Sequence, residues 1–561
     1  MEDVIRTAVL EVLESLGVAP VDFVVEHPGD LDHGDYACNV AMVAAKVAGI
    51  SPRALAEKIV AALEQQIEYV DRIEIAGPGF INFYLARDFF TAEILRVQAA
   101  PDTWGKNTSE AGQKILVEYT DPNPFKAFHI GHLFTNTVGE AISRLGEMQG
   151  ADIRRVNYQG DVGLHVAHAI YGMQQLGITA ESIFTASDLG RAYALGATAY
   201  RDDMSAQSII RDLNKKIYER SDEAINALYD AGRAVSLANF ETVYTRLGTT
   251  FSEYFFESEM APKGKALVLA HPAVFPESDG AHIFRGEEHG LHTRVFLNKE
   301  GLPTYEAKEL ALAKAKDDRF GSYDHSIIST AKEISEYFKV LKMAMSFIYP
   351  ELAAKTEHIG HGMVRLTTGK MSSRTGDVIL ASEFIDEIAA AAHAKIVATG
   401  VAEPTPELAE AIAIGAIKYA TLRGAIEQDS TFDINKALSF EGDSGPYLQY
   451  THARICSVLE KAAAVGVIPN LSVAPAEPYV IEKILYRFPE VIANAWIERA
   501  PHMLVGYLTE LAGHFNTFYA HEKIADATDT HAPYKAAVAD AVRQTLKNGL
   551  WTLGIKAPER L

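Results

Sequence analysis

The run K-I-L-V-E-Y-T-D-P-N-P-F-K-A-F-H-I-G-H-L spans Lys114 to Leu133 and decides how the rest of the chain reads. Lys114 to Thr120 is rich in apolar and β-branched residues and is bounded by turn formers, which predicts a short buried strand. Asp121-Pro122-Asn123-Pro124 reads as a loop, because proline withholds an N–H and Asp and Asn favour turns. Beyond it Ile130, Leu133, Phe134, Val138, Ala141, Ile142, Leu145 and Met148 recur along one helical face. Strand, loop and helix in this order predict the opening of a doubly wound α/β domain. Val156-Asn157-Tyr158 is expected as the next strand, and Ser326 to Ser329 as a later parallel one.

His129-Ile130-Gly131-His132 falls where the first strand hands over to the first helix. Free backbone N–H groups and the helix dipole favour an anion there. Two imidazoles three residues apart can both face that anion and hydrogen-bond phosphoryl oxygens as charge builds. Gly131 leaves room for a flat adenine against the backbone. The tetrapeptide alone is weak, since it recurs at His358-Ile359-Gly360-His361. That copy follows no clear strand-to-helix entry and is expected to be structural, in a strand or turn. A second candidate site is Gly369-Lys370-Met371-Ser372-Ser373-Arg374-Thr375-Gly376. Lys370 and Arg374 supply charge and Ser372 and Ser373 supply donors, on a glycine-flanked loop able to close over a triphosphate. Together the two segments predict an ATP-using enzyme.

Working outward, 561 residues predict about three or four domains. A hydrophobic content of 48% with 22% charged residues is that of an ordinary soluble globular protein. No apolar run approaches the roughly 20 residues that span a bilayer, and Met-Glu-Asp-Val-Ile-Arg does not resemble a targeting peptide. A cytoplasmic protein with no membrane partner is expected. Cys38 and Cys456 are far apart and form no Cys-x-x-Cys pair, so a cysteine-based zinc knuckle is excluded and both are expected as small buried hydrophobes. A net charge of -22 lowers the expectation of a nucleic-acid partner without excluding a local basic track. Residues 1–97 read as a small α+β unit and 98–113 as a linker. Residues 112–400 read as the α/β domain, with a largely helical insertion at about 170–280. Residues 401–561 read as helical, and hold 14 Lys and Arg against 19 Asp and Glu, which offers RNA little attraction.

The two motifs resemble those that define class I aminoacyl-tRNA synthetases. Within that class, the chain resembles the arginyl-tRNA synthetases over essentially its whole length. The resemblance rests on V-E-Y-T-D-P-N-P-F-K-A-F-H-I-G-H-L (117–133), Y-E-A-K-E-L (305–310) and G-K-M-S-S-R-T-G-D-V (369–378). It continues through L-S-F-E-G-D-S-G-P-Y-L-Q-Y-T-H-A-R-I (438–455), R-F-P-E-V-I (487–492) and the terminal G-I-K-A-P-E-R-L. It implies a multidomain α/β fold: a Rossmann-like doubly wound parallel-sheet catalytic domain with a helical insertion, a small N-terminal α+β domain and an all-α C-terminal domain. It implies activation of L-arginine by ATP with Mg²⁺, then transfer from arginyl-adenylate to the 3′ end of tRNA(Arg), with activation dependent on bound tRNA. No zinc is implied, and a monomer is expected.

By position, the resemblance makes His129, His132, Lys126 and Lys370 catalytic. It gives His129, Gly131, His132, Met371, Ser372, Ser373 and Arg374 to ATP. Glu118, Asn123, Tyr305 and Glu309 fall to arginine, a planar, donor-rich cation that calls for fixed carboxylates. Tyr305 and Glu309, four apart, are expected on one helix face. Three departures stand out. Glu309 occupies a place where the family usually has aspartate. Ala331-Lys332-Glu333 stands where a glutamine is common. Ser373 replaces a lysine found in most class I enzymes, and Lys126 is expected to supply the missing cation. Residues 1–97 would contact the tRNA elbow and 401–561 the anticodon, with Tyr447, Tyr450, Trp496, Phe515 and Tyr519 as base-stacking candidates where exposed, although at helical spacing each is more often a core residue. A small-molecule nucleotidyltransferase would share the first motif but lack the helical C-terminal third. A non-catalytic paralogue would not need His129, His132 and Lys370. A glutamate enzyme is disfavoured by Glu118 with Glu309.

Overall fold

The computed structural model describes residues 1–63, 66–367, 379–400 and 403–561. Lys370, Met371, Ser372, Ser373 and Arg374 lie outside the described residues.

Lys114–Glu118 (β1) is the central strand of a five-stranded sheet, buried at Ile115, Leu116 and Val117. The other strands are Asp152–Gln159 (β2), Glu253–Phe256 (β3), His325–Ala331 (β4) and Thr356–His361 (β5). Their spatial order is β5-β4-β1-β2-β3 and every pairing is parallel. The order reverses at β1, so the crevice beyond its carboxyl end is the place where such sheets bind ligands. The strands expected at 156–158 and 326–329 are both present, within β2 and β4.

Ile130–Met148 (α1) follows β1 and buries Leu133, Phe134, Val138, Ala141, Ile142, Leu145 and Met148, all predicted from spacing. Close approach to the strand requires Gly139, because a Cβ there would lie 2.2 Å from Cγ of Tyr119. Glu140 is buried but paired: it accepts from Tyr119 Oη at 2.6 Å, Arg144 Nε at 2.7 Å and Arg155 Nε at 3.0 Å.

The β2-to-β3 crossover is long and helical, with Leu164–Gln175 (α2), Ala186–Asp202, Met204–Glu219 and Glu223–Leu247. The insertion expected at about 170–280 therefore needs correction: β3 lies inside that stretch and belongs to the main sheet. Its Glu-Tyr-Phe-Phe run is too short to show a period between helices. Glu257–Ala270 (α3) leaves β3, and Tyr305–Phe320 (α4) and Ser335–Ile348 (α5) flank β4.

The chain divides into two compact units. One contains Gly105–Cys456, Pro489–Ala512 and Leu546–Leu561, and so holds the parallel sheet. The other joins Met1–Trp104 to Ser457–Phe488 and Gly513–Thr545. In the latter, four strands pair antiparallel around the hairpin Val70–Ala76 and Phe80–Leu85. Tyr486 enters that unit's core, 5.2 Å ring to ring from Phe89. The C-terminal helices thus contribute to both units.

Cys38 is buried as expected, whereas Cys456 is only half-buried. Among the described residues no helix is long and apolar enough to cross a membrane.

Candidate active site

The loop from β1 to α1 holds three non-glycine residues in the left-handed region: Thr120 at φ 80°, Asp121 at 44° and Phe125 at 67°. Such backbone persists only where its surroundings over-determine it. Here Asp121 Oδ1 accepts from the Tyr158 N–H at 2.8 Å, and the Phe125 N–H donates to Ser236 Oγ at 2.9 Å. The Lys126 N–H donates to the Asn123 carbonyl at 3.1 Å.

His129 is the N-cap of α1. Its Nδ1 accepts from the Gly131 N–H at 3.1 Å, and His132 Nδ1 accepts from the His129 N–H at 3.3 Å. The two rings stack with centroids 3.8 Å apart. The spacing is thus a reciprocal cap built from imidazoles. It also fixes the chemistry. With each Nδ1 accepting, each neutral ring carries its proton on Nε2, which is then a donor. Burial, and then the charge of Lys126, hold His129 below the ordinary imidazole range. Burial, His129 and Lys126 hold His132 far below it. At neutral pH the turn therefore offers uncharged Nε2–H donors to an acceptor such as a phosphoryl oxygen. Gly131 has a reason of its own here: a Cβ would lie 2.9 Å from the His129 ring.

Lys126 is brought to the same turn. Its Nζ lies 5.3 Å from the Tyr193 ring centroid, and burial lowers its pKa against the pull of Glu257. Its charge also depresses His165 and His168 after the larger effect of burial.

Acidic groups gather around the same loop, and Glu257 among them acts on Lys126. Glu118, 2% exposed, pairs with Lys316 Nζ of α4 at 2.5 Å. Glu257 of α3 pairs with Lys308 Nζ at 2.5 Å, both buried. Burial, then the Glu118 charge, raise both Asp121 and Glu309, the latter to about 8. Carboxyl groups raised by a neighbouring carboxylate mark a site where a bound cation is favoured and an anion disfavoured. Asn123 lies beside Gly160, whose Cβ would come within 2.2 Å of Asn123 Oδ1. Tyr305, the first residue of α4, is 57% exposed with Lys308 Nζ 4.5 Å from its ring centroid, so it sits nearer solvent than Glu309.

Sequence reasoning missed Asp121, Asp161, Glu257, Lys308 and Lys316. Lys308 and Lys316 carried a signal, since with Tyr305 and Glu309 they fall near one helical face. Asp161 carried only its glycine neighbours. It is fully buried and accepts from Ser258 N–H and Oγ at 2.8 Å each, Arg233 Nε at 2.9 Å and Tyr229 Oη at 3.1 Å. Two of the candidate stacking aromatics take the core position that helical spacing favoured. Trp496 and Phe515 are core residues, 3% and 0% exposed, because each lies on the apolar face of its helix. Tyr519 is exposed, and Tyr447 and Tyr450 are half-buried.

Three family descriptions match the chain. The class I (R) tRNA synthetase catalytic domain matches residues 96–434, the DALR anticodon binding domain 448–561, and the arginyl tRNA synthetase N terminal domain 3–85. An arginine–tRNA ligase of Azotobacter vinelandii is 30% identical, with all of both chains covered. One of Oenococcus oeni is 29% identical over 96% of this chain and 95% of its own. Among solved structures, the Thermus thermophilus arginyl-tRNA synthetase superposes with a TM-score of 0.81 at 25% identity, all of both chains covered. Matched across its catalytic core and aligned end to end with these relatives, the chain belongs to the arginyl-tRNA synthetases of class I.

Proposed function

We propose that the chain is an arginine–tRNA ligase in which the loop Glu118–His129 separates an arginine pocket from an ATP-handling turn. The observation that carries this reading is the paired imidazole cap together with a pocket whose carboxyl groups are raised by one another and so gain from a bound cation. An arginine carboxylate oxygen attacks the α-phosphorus of ATP, supplied as its Mg²⁺ complex, and the bond to the bridging oxygen of pyrophosphate breaks. His129 and His132 donate Nε2–H bonds to phosphoryl oxygens as charge develops. Lys126 supplies the cation absent at Ser373, and Lys370, Met371, Ser372, Ser373 and Arg374 of the second motif are the further ATP-binding groups. Glu118, Asn123, Tyr305 and Glu309 hold arginine. The 2′-hydroxyl of the terminal tRNA ribose then attacks the activated carbonyl and AMP leaves. The work is positioning and electrostatics.

Residues 1–97 contact the tRNA elbow and residues 401–561 read the anticodon, in keeping with the matches at 3–85 and 448–561. Activation requires bound tRNA, and the enzyme works as a cytoplasmic monomer. Charging assays with unfractionated tRNA, ATP and each amino acid in turn test the reading. Esterification of arginine alone is expected. Charging with a different amino acid in its place would overturn it.

A further inference from the structure

The second His-Ile-Gly-His copy lies in β5 and plays no part in the function above, yet both of its imidazoles are committed. His358 Nε2 lies 2.7 Å from Thr330 Oγ1 of β4, and its ring stacks on Phe338 of α5 at 4.0 Å. His361, three residues on, faces the opposite side of the strand. It is 5% exposed, and its Nε2 lies 2.9 Å from Thr135 Oγ1 of α1. Thr135 is one turn beyond Gly131 of the first motif.

Proton accounting gives this contact its direction. His361 Nδ1 lies 2.9 Å from the Gly362 carbonyl, which only accepts, so Nδ1 carries hydrogen. Burial holds the ring below the ordinary imidazole range, leaving it neutral at pH 7 with Nε2 bare. The Thr135 hydroxyl therefore donates to Nε2. The same oxygen is 3.0 Å from the Gly131 carbonyl, but it has one proton to give. If His361 were protonated the bond would reverse, with Nε2–H donating to Oγ1 and the hydroxyl turning to Gly131. The link between helix and strand survives in either state.

The link sits between the two motifs. α1 begins with His129 and His132. β5 ends at His361, and the chain runs through Val364–Leu366, paired with Ser430–Phe432, towards the second motif at Gly369. We propose that His361 is a positioning residue for ATP activation, and that its hydrogen bond to Thr135 keeps the first-motif helix in register with the strand leading to the second motif. The inference rests on reading His129 and His132 as the ATP-handling pair. Small errors in such placement weaken reaction more than folding.

The test uses arginine-dependent ATP–pyrophosphate exchange with tRNA on the full chain. Thr135→Val and His361→Phe remove the bond; Thr135→Ser and His361→Gln keep a partner at each end. The first pair is expected to lose about 5-fold in kcat/KM for ATP, the scale of one neutral hydrogen bond. The KM for arginine should hold and the thermal midpoint should fall only by the cost of one buried hydrogen bond, the second pair should recover activity to within about 2-fold, and the double variant should be no worse than either single. Thr135→Val, which changes only a hydroxyl to a methyl, keeps the test decisive if His361→Phe folds poorly. Unchanged ATP kinetics in Thr135→Val, additive losses in the double variant, or equal losses for ATP and arginine with a midpoint lowered beyond that cost would each overturn the proposal. His129→Asn separates the two levels. Its loss of exchange alongside normal Thr135→Val kinetics sinks only the register role, whereas full exchange in His129→Asn sinks the reading beneath it.

Discussion

At the scale of single residues, the His-x-x-His spacing does two jobs with one geometry. Each Nδ1 satisfies a backbone N–H, and that leaves each Nε2–H free. Replacing either His129 or His132 with asparagine should lower the exchange rate about 10²-fold or more, the usual cost of losing a preorganised donor, while the KM for arginine stays close to wild type. Steady-state exchange kinetics check both. Lys126→Ala should cost about 10-fold in the same assay and Lys126→Arg less, because the charge rather than the shape of Lys126 is required. Glu309 gives a pH signature. Burial and the neighbouring Glu118 raise it to about 8, so at pH 7 it is mostly protonated in the free protein. The ionised form is the better partner for a guanidinium, so the KM for arginine should fall as pH rises from 7 to 9, and Glu309→Gln should abolish that trend. Stability runs the other way. A carboxyl raised on folding loses its contribution as pH climbs from the unfolded value towards 8, and bound arginine should offset this loss. His129, His132, Glu118 and Glu309 were legible because each belongs to a local pattern. Lys316 was not legible as the partner of Glu118, since they are far apart in sequence and the fold brings α4 against the end of β1.

At the scale of elements, helix ends are tied together by the nitrogen donors of Lys418 and Arg144. Lys418, fully buried in the helix Pro406–Leu422, donates to the carbonyls of Leu247 at 2.6 Å and Gly554 at 2.8 Å. Arg144 of α1 donates to Gly248 and Trp551 carbonyls at 3.0 and 2.7 Å. The C-terminal ends of two helices, where carbonyls lack intrahelical partners, are thereby satisfied beside the first-motif helix. Lys418→Met should lower stability by about 2 kcal/mol or more, because two buried acceptors lose their donor; the midpoint of urea unfolding measures this. Sequence periodicity found β1, α1, β2 and β4, whose apolar runs are long enough to show a period. It missed β3 because a four-residue strand between helices shows none, and for Trp496 and Phe515 it favoured the core without deciding, because a helical pattern alone does not say which face is covered.

At the scale of the whole molecule, a chain of net charge -22 has to bind a polyanion through local surfaces. The division into two compact units shows why linear boundaries say little about assembly: the residues from 401 onward contribute to both. The terminal run is part of that assembly. The Lys556 carbonyl accepts from Gln449 Nε2 and the Pro558 carbonyl lies against His452 Nδ1, each at 2.9 Å. Its motif was legible by resemblance, but the residues it stitches were not. An arginine pocket coupled to an ATP-handling turn under the control of tRNA makes ATP–pyrophosphate exchange with and without tRNA(Arg) the decisive measurement. Exchange is expected to require both arginine and the tRNA; an absence of arginine-dependent exchange in the presence of tRNA(Arg) would rule this coupling out.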